Sequence, residues 1–119
     1  MKTLILLAAL LCGTAQAATY SGNQLLTELN GDASTRLGAL RFVKGAWDGI
    51  ELAQTLAGQT AICTPSDVVV GQVADIVRND LTNRPAVRHE EAVMLVYVSL
   101  LKTWPCKVSP SKQKGQQSL

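Results

Sequence analysis

Between Val69 and Thr103 the apolar residues recur at helical rather than strand spacing. Val70, Val73, Ala74, Val77 and Leu81 stand three or four apart, which lays them along one face and predicts a helix from about Val69 to Leu81. Asp75, Arg78, Asn79 and Asp80 fall mainly on the other face, next to water. Thr82-Asn83-Arg84 reads as a turn, and Pro85 as part of the next helix's first turn, where its missing N–H costs nothing. That helix is predicted from about Ala86 to Thr103, with Glu90 and Glu91 favouring the positive end of its dipole. From Ala92 to Leu101 only Tyr97 and Ser99 are polar, the pattern of a helix in a core or partly in a subunit interface. Trp104-Pro105-Cys106 ends it, because proline cannot continue the hydrogen-bond ladder.

Upstream the same period predicts two more helices. Tyr20 to Glu28 carries Ser21 as an N-cap and Leu25, Leu26 and Leu29 as an apolar edge, with Asn30-Gly31 as a stop. Ser34 to Ala57 follows, capped by Asp32 or Ser34, with Leu37, Leu40, Val43, Trp47, Ile50 and Ala53 on one face and Gly58 as a C-cap. Gly45 and Gly49, four apart, each cost about 1 kcal/mol relative to alanine in a helix. A bare strip that lets another helix approach would offset that cost, and a bend near Gly45 is the alternative. Gln59 to Val69, with Cys63, Pro65, Ser66 and Asp67, reads as an exposed loop. No β-hairpin signal or internal repeat is present. The expectation is an all-α fold, a small bundle of four to five helices.

The first seventeen residues have a different character. Met1-Lys2 is positive, Thr3 to Leu11 is apolar, and Ala15-Gln16-Ala17 fits a small-x-small cleavage site, which reads as a signal peptide over 1–17. The apolar run is too short to span a bilayer, which takes about 20 residues, and Leu11 before Cys12 fits a lipoprotein signal poorly. Removal of Cys12 with the signal leaves two cysteines, Cys63 and Cys106. In an oxidising compartment such as the periplasm these read most simply as one disulfide, two free buried thiols being the alternative. An antiparallel pairing of the last two helices puts both cysteines at the open end of the hairpin, so the bond would close it. The domain organisation expected is then 18–106 as one helical domain and 107–119 as a polar, disordered tail.

Charge and chemistry mostly exclude. The net charge of +2 is spread out, and the one basic cluster is in the last dozen residues, so no footprint for nucleic acid exists. His89-Glu90-Glu91-Ala92-Val93 resembles a zinc-protease motif but has Val93 where the second histidine belongs. His89 is the only histidine, which rules out a metal site built on several, and no serine stands in an elbow motif beside it. Asp48 and Glu51 read as a solvated face rather than a catalytic pair. No metal, no cofactor and no enzyme activity is expected, and a binding protein is.

The order "GAWDGIELAQ", Cys63-x-Pro65, "VVVGQVADIVRNDL", "NRPAVRHEEA" and "LLKTWPC" resembles the Rap/Tai family of type VI secretion amidase immunity proteins, over about residues 35 to 106. Its most specific piece is Gly71-Gln72, then Asn83-x-Pro85-x-x-Arg88-His89-x-x-Ala92, then Trp104-Pro105-Cys106. Val69 stands where family members usually have threonine, which leaves the helix cap to Ser66 or Asp67. The resemblance implies a periplasmic protein that binds a peptidoglycan amidase effector, fills its substrate cleft and acts as a homodimer. The residues placed to touch that partner are Thr64, Ser66 and Asp67 in the loop after Cys63, and Asn83, Arg84 and Arg88 around the turn. Trp47 and Tyr97 are core residues or, alternatively, aromatic anchors. Two other classes remain open on the residues alone: a periplasmic acid-stress chaperone and an envelope assembly subunit.

Overall fold

The structure is a computed structural model that describes residues 18–107. The signal peptide and most of the polar tail expected from the sequence lie outside the described residues. Four α-helices form the fold: α1 (Gly22–Leu29), α2 (Ala33–Ala57), α3 (Val70–Asn83) and α4 (Ala92–Thr103), with a 3-10 turn at Pro85–Val87. Each helix packs against the other three. No helix is long and apolar enough to cross a membrane among the described residues.

Local chemistry sets the helix starts. Ser21 caps α1 in a capping box: its hydroxyl accepts from Gln24 N, and Gln24 Oε1 accepts from Ser21 N at 2.9 Å. Asp32, not Ser34, caps α2 by accepting from Thr35 N at 2.8 Å. α2 runs unbroken through Gly45 and Gly49 to Gly58, whose φ of 64° supplies the left-handed turn that ends it. The bare strip expected to admit another helix meets none among the described residues: a Cβ added at Gly38, Gly45 or Gly49 would find none of their atoms within 4 Å.

Two boundaries differ from the sequence reading. Thr82 and Asn83 belong to α3, which continues past the predicted turn. α4 begins at Ala92, six residues later than predicted, because the backbone of 88–92 is committed elsewhere. Gly22 N donates to Glu90 O, Asn23 N to Arg88 O, and Ala92 N to Tyr20 O at 2.8 Å. These bonds dock the start of α1 on the segment before α4, and Pro85 opens a separate 3-10 turn instead of α4. Neither Ser66 nor Asp67 caps α3. Val69 is its N-cap residue, and its N–H donates to Gln72 Oε1 at 3.0 Å, half of a capping box.

The core is one cluster. Leu25 and Leu29 of α1, Val43 and Trp47 of α2, Val73, Val77 and Leu81 of α3, and Leu95, Val96 and Leu100 of α4 are all buried in it. Trp47 is therefore a core residue, and its indole N–H donates to Glu51 Oε1 at 2.7 Å. Cys63 and Cys106 are joined in a disulfide with Cα atoms 4.9 Å apart. Cys63 N donates to Trp104 O and Cys106 N to Ala61 O, so a short antiparallel bridge reinforces the bond at the mouth of the α3–α4 hairpin.

Candidate functional site

The loop between α2 and α3 is short on secondary structure but firmly held. The disulfide and its two backbone bonds fix one side. On the other, Gln54 Oε1 on α2 accepts from Ala61 N at 2.7 Å and Ile62 N at 2.8 Å. A side-chain amide thereby satisfies two loop donors that would otherwise need water. The anchored loop presents Ser66 and Asp67 to solvent, with Thr64 half-buried. No sequence signal distinguished Gln54 from any other polar residue late in a helix.

Beside this loop lies an open cleft of about 400 Å³, lined by Ile50, Ala53 and Ala57 of α2, the 59–61 segment and Tyr97 of α4. A second, of about 300 Å³, lies between Tyr20, Phe42 and Val93. Tyr20 meets Phe42 edge to face, with ring centroids 4.7 Å apart.

The other three candidates sit at the far end of α3. That helix is 14 residues long, about 21 Å. The structure thus separates Thr64, Ser66 and Asp67 from Asn83, Arg84 and Arg88 rather than joining them on one small surface. Within the second group only Asn83 is fully exposed. Arg88 is half-buried, and its Nε is enclosed with no hydrogen-bond partner among the described residues. Arg84 is engaged inside the molecule. Its guanidinium grips the Asp80 carboxylate through two nitrogens, Nε donating to Oδ1 at 2.9 Å.

Asp80 is the feature the sequence reading misplaced. It was expected next to water, but its side chain is only 13% exposed. Besides Arg84 it accepts from Lys102 Nζ at 2.8 Å and from the buried Ser99 Oγ at 2.7 Å, both on α4. Burial alone would push its pKa up, but the hydrogen bonds from Arg84, Lys102 and Ser99 outweigh that and hold it well below the usual carboxylate range. The available signals were the Asp80–Arg84 spacing of four and a lone serine in an apolar helix.

His89 is exposed and lies 3.2 Å from Glu90. Asp48 pairs with Lys44 and Glu51 with Trp47, so the two carboxylates do not work as a pair. Among the described residues no three His, Cys, Asp or Glu side chains gather as a metal site requires.

What the fold and surface define is a small helical bundle, cross-linked once, whose anchored loops and open clefts suit contact with another macromolecule. The chain belongs to the Rap1a immunity protein family, whose model matches residues 21–106. Membership suggests an immunity protein against a type VI secretion effector. No curated protein and no solved structure matches the chain.

Proposed function

We propose that this chain is a periplasmic immunity protein that binds a peptidoglycan amidase delivered by a type VI secretion system and blocks its substrate cleft. The observation that carries the reading is the family match over residues 21–106. The disulfide supports the periplasm, since such bonds persist in oxidising compartments. The surface proposed to meet the toxin is the anchored loop with Thr64, Ser66 and Asp67. A loop already fixed in place loses little entropy on binding, which favours a tight complex. Asn83 and Arg88 form a second contact only if the toxin spans the length of α3. A homodimer, which the family resemblance implies, is part of the same reading. The test is inhibition: the purified protein, titrated into candidate amidases digesting isolated peptidoglycan, is expected to stop one of them at near-equimolar ratio. Full activity of every amidase from the cognate secretion locus, with the protein in excess, rejects the reading.

A further inference from the structure

A further open cleft, of about 400 Å³, lies between the last turns of α2 and the loop that follows. Glu51, Gln54 and Thr55 form its helix side. Thr60, Cys63 and Thr64 form its loop side, with the buried Ile62 between them. Among these residues Glu51 alone carries a charge. It makes no ion pair among the described residues, and the nearest lysine before it on α2, Lys44, is paired with Asp48.

The walls of this cleft are fixed. Glu51 Oε1 accepts from the indole N–H of Trp47, a core residue, at 2.7 Å. That bond occupies one of about four acceptor positions on a carboxylate and holds the rest in place. Gln54 is tied to the loop through Ala61 N and Ile62 N, and Cys63 is tied to Cys106 by the disulfide. Thr55 gives its hydroxyl proton to the Glu51 carbonyl at 3.0 Å, which leaves its oxygen free to accept.

A second source of negative potential lies beside the carboxylate. The C-terminal end of a helix carries about half a negative elementary charge. α2 ends at this cleft with no basic residue in its last turn, whereas α4 has Lys102 in its own. The carboxylate and the helix end therefore act in the same sense, and both favour a cation.

We infer that this cleft takes a cationic side chain of the amidase, an arginine or a lysine, with Glu51 as its counter-ion. Thr64 belongs both to the cleft and to the anchored loop, so a partner seated on the loop also covers the cleft. A guanidinium fits the lining well: its fork matches the carboxylate, and its other N–H groups meet threonine hydroxyls. A partner that covered Glu51 without bringing a cation would strand a charge away from water, so the cleft discriminates among toxins. The inference rests on the amidase reading and names the chemistry its partner brings.

Calorimetric titration against the inhibited amidase, at low and at high salt, tests it. Glu51→Gln keeps an oxygen for Trp47 and removes the charge. Its melting midpoint is expected to hold, its affinity to fall about tenfold, and its salt dependence to become shallower. Glu51→Lys is expected to bind more weakly still. Single Arg→Glu and Lys→Glu changes over the amidase surface are then expected to yield one that binds Glu51→Lys better than it binds the wild type. Wild-type affinity and salt dependence in Glu51→Gln, or a loss in Glu51→Lys that no amidase change recovers, overturns the inference and leaves the amidase reading in place. So does a melting midpoint that Lys112→Gln with Lys114→Gln lowers in the wild type but not in Glu51→Gln, which gives the cleft to the chain's own basic tail. If no amidase is inhibited at all, the amidase reading fails and the inference with it.

Discussion

Ser99, in the middle of the apolar α4, donates its hydroxyl to Asp80 Oδ2 on α3 at 2.7 Å, 19 residues away in the chain. The same oxygen lies 2.8 Å from the Leu95 carbonyl, so its one proton is shared between a carboxylate and a helix backbone. This contact, with Arg84 and Lys102 on the same carboxylate, ties the last turn of α3 to the last turns of α4.

Removing the charge from that carboxylate is expected to be costly. Asp80→Asn leaves Ser99 and Arg84 facing an amide that satisfies fewer donors, and hydrogen bonds to charged groups contribute about 1.5–3 kcal/mol each. A loss of about 2–3 kcal/mol in urea unfolding is expected for Asp80→Asn, and about 1 kcal/mol for Ser99→Ala. An effect under about 0.5 kcal/mol for both would show that the cluster is no more than a surface ion pair.

The same carboxylate sets a pH dependence. Its folded-state pKa is depressed, so its contribution is complete above the unfolded value near 3.9 and disappears as pH falls below that towards the folded pKa. Stability is therefore expected to hold from pH 7 to about pH 5 with respect to this group and to decline below about pH 4. The decline should be shallower in Asp80→Asn. Chemical denaturation at a series of pH values measures this. Hydrophobic-dye binding that rises already near pH 5 would instead favour the acid-chaperone reading.

The disulfide closes a loop with a sequence separation of 43. Restricting the unfolded chain that much contributes about 4 kcal/mol in the entropy model, against the ~5–15 kcal/mol total of an ordinary domain. Reduction, or the double change Cys63→Ala with Cys106→Ala, is expected to lower the melting midpoint by more than 10 °C. Fast amide exchange is expected to appear first at Cys63 and Cys106, whose backbone bonds the bridge keeps in register. Equal midpoints with and without reductant would contradict the expectation.

The helices were legible because each carries its own period, and the Cys63–Cys106 pairing because an antiparallel hairpin brings its ends together. What was not legible depends on partners distant in sequence. The start of α4 is decided by Gly22 and Tyr20, some seventy residues upstream, which take the backbone groups of 88–92. Local propensity around Pro85 could not foresee that. Asp80 looked solvent-facing because its partners on α4 lie outside any local window. The candidate contacts were chosen by residue type and loop position, which placed Ser66 and Asp67 correctly on the surface but missed that Arg84 is bound to Asp80.

Gly22 is where α1 comes closest to its neighbours. A Cβ there would stand 2.3 Å from Leu95 Cδ1 and 3.0 Å from Arg88 O. Leu95 is buried and the carbonyl is already an acceptor for Asn23 N, so neither neighbour moves freely. Gly22→Ala is expected to lose about 1–3 kcal/mol through overpacking. Gly71→Ala, at a helical position with open space, is expected to be neutral or gain up to about 1 kcal/mol. Thermal melts of the two variants, run side by side, separate close approach from simple helix propensity.

The candidate contact residues are expected to divide by what each change does to the free protein. Ser66→Ala with Asp67→Ala alters two exposed side chains with no hydrogen bond inside the described molecule, so the melting midpoint should hold while affinity for the amidase falls about tenfold or more. Arg84→Ala removes the bidentate partner of Asp80 and should lower stability by about 2 kcal/mol. Any affinity it loses should return when binding is measured well below its melting temperature. Calorimetric titration against the inhibited amidase, paired with a melt of each variant, makes the comparison. If Arg84→Ala weakens binding at full folding while the loop variant binds normally, the toxin contact moves from the disulfide-anchored loop to the opposite end of α3.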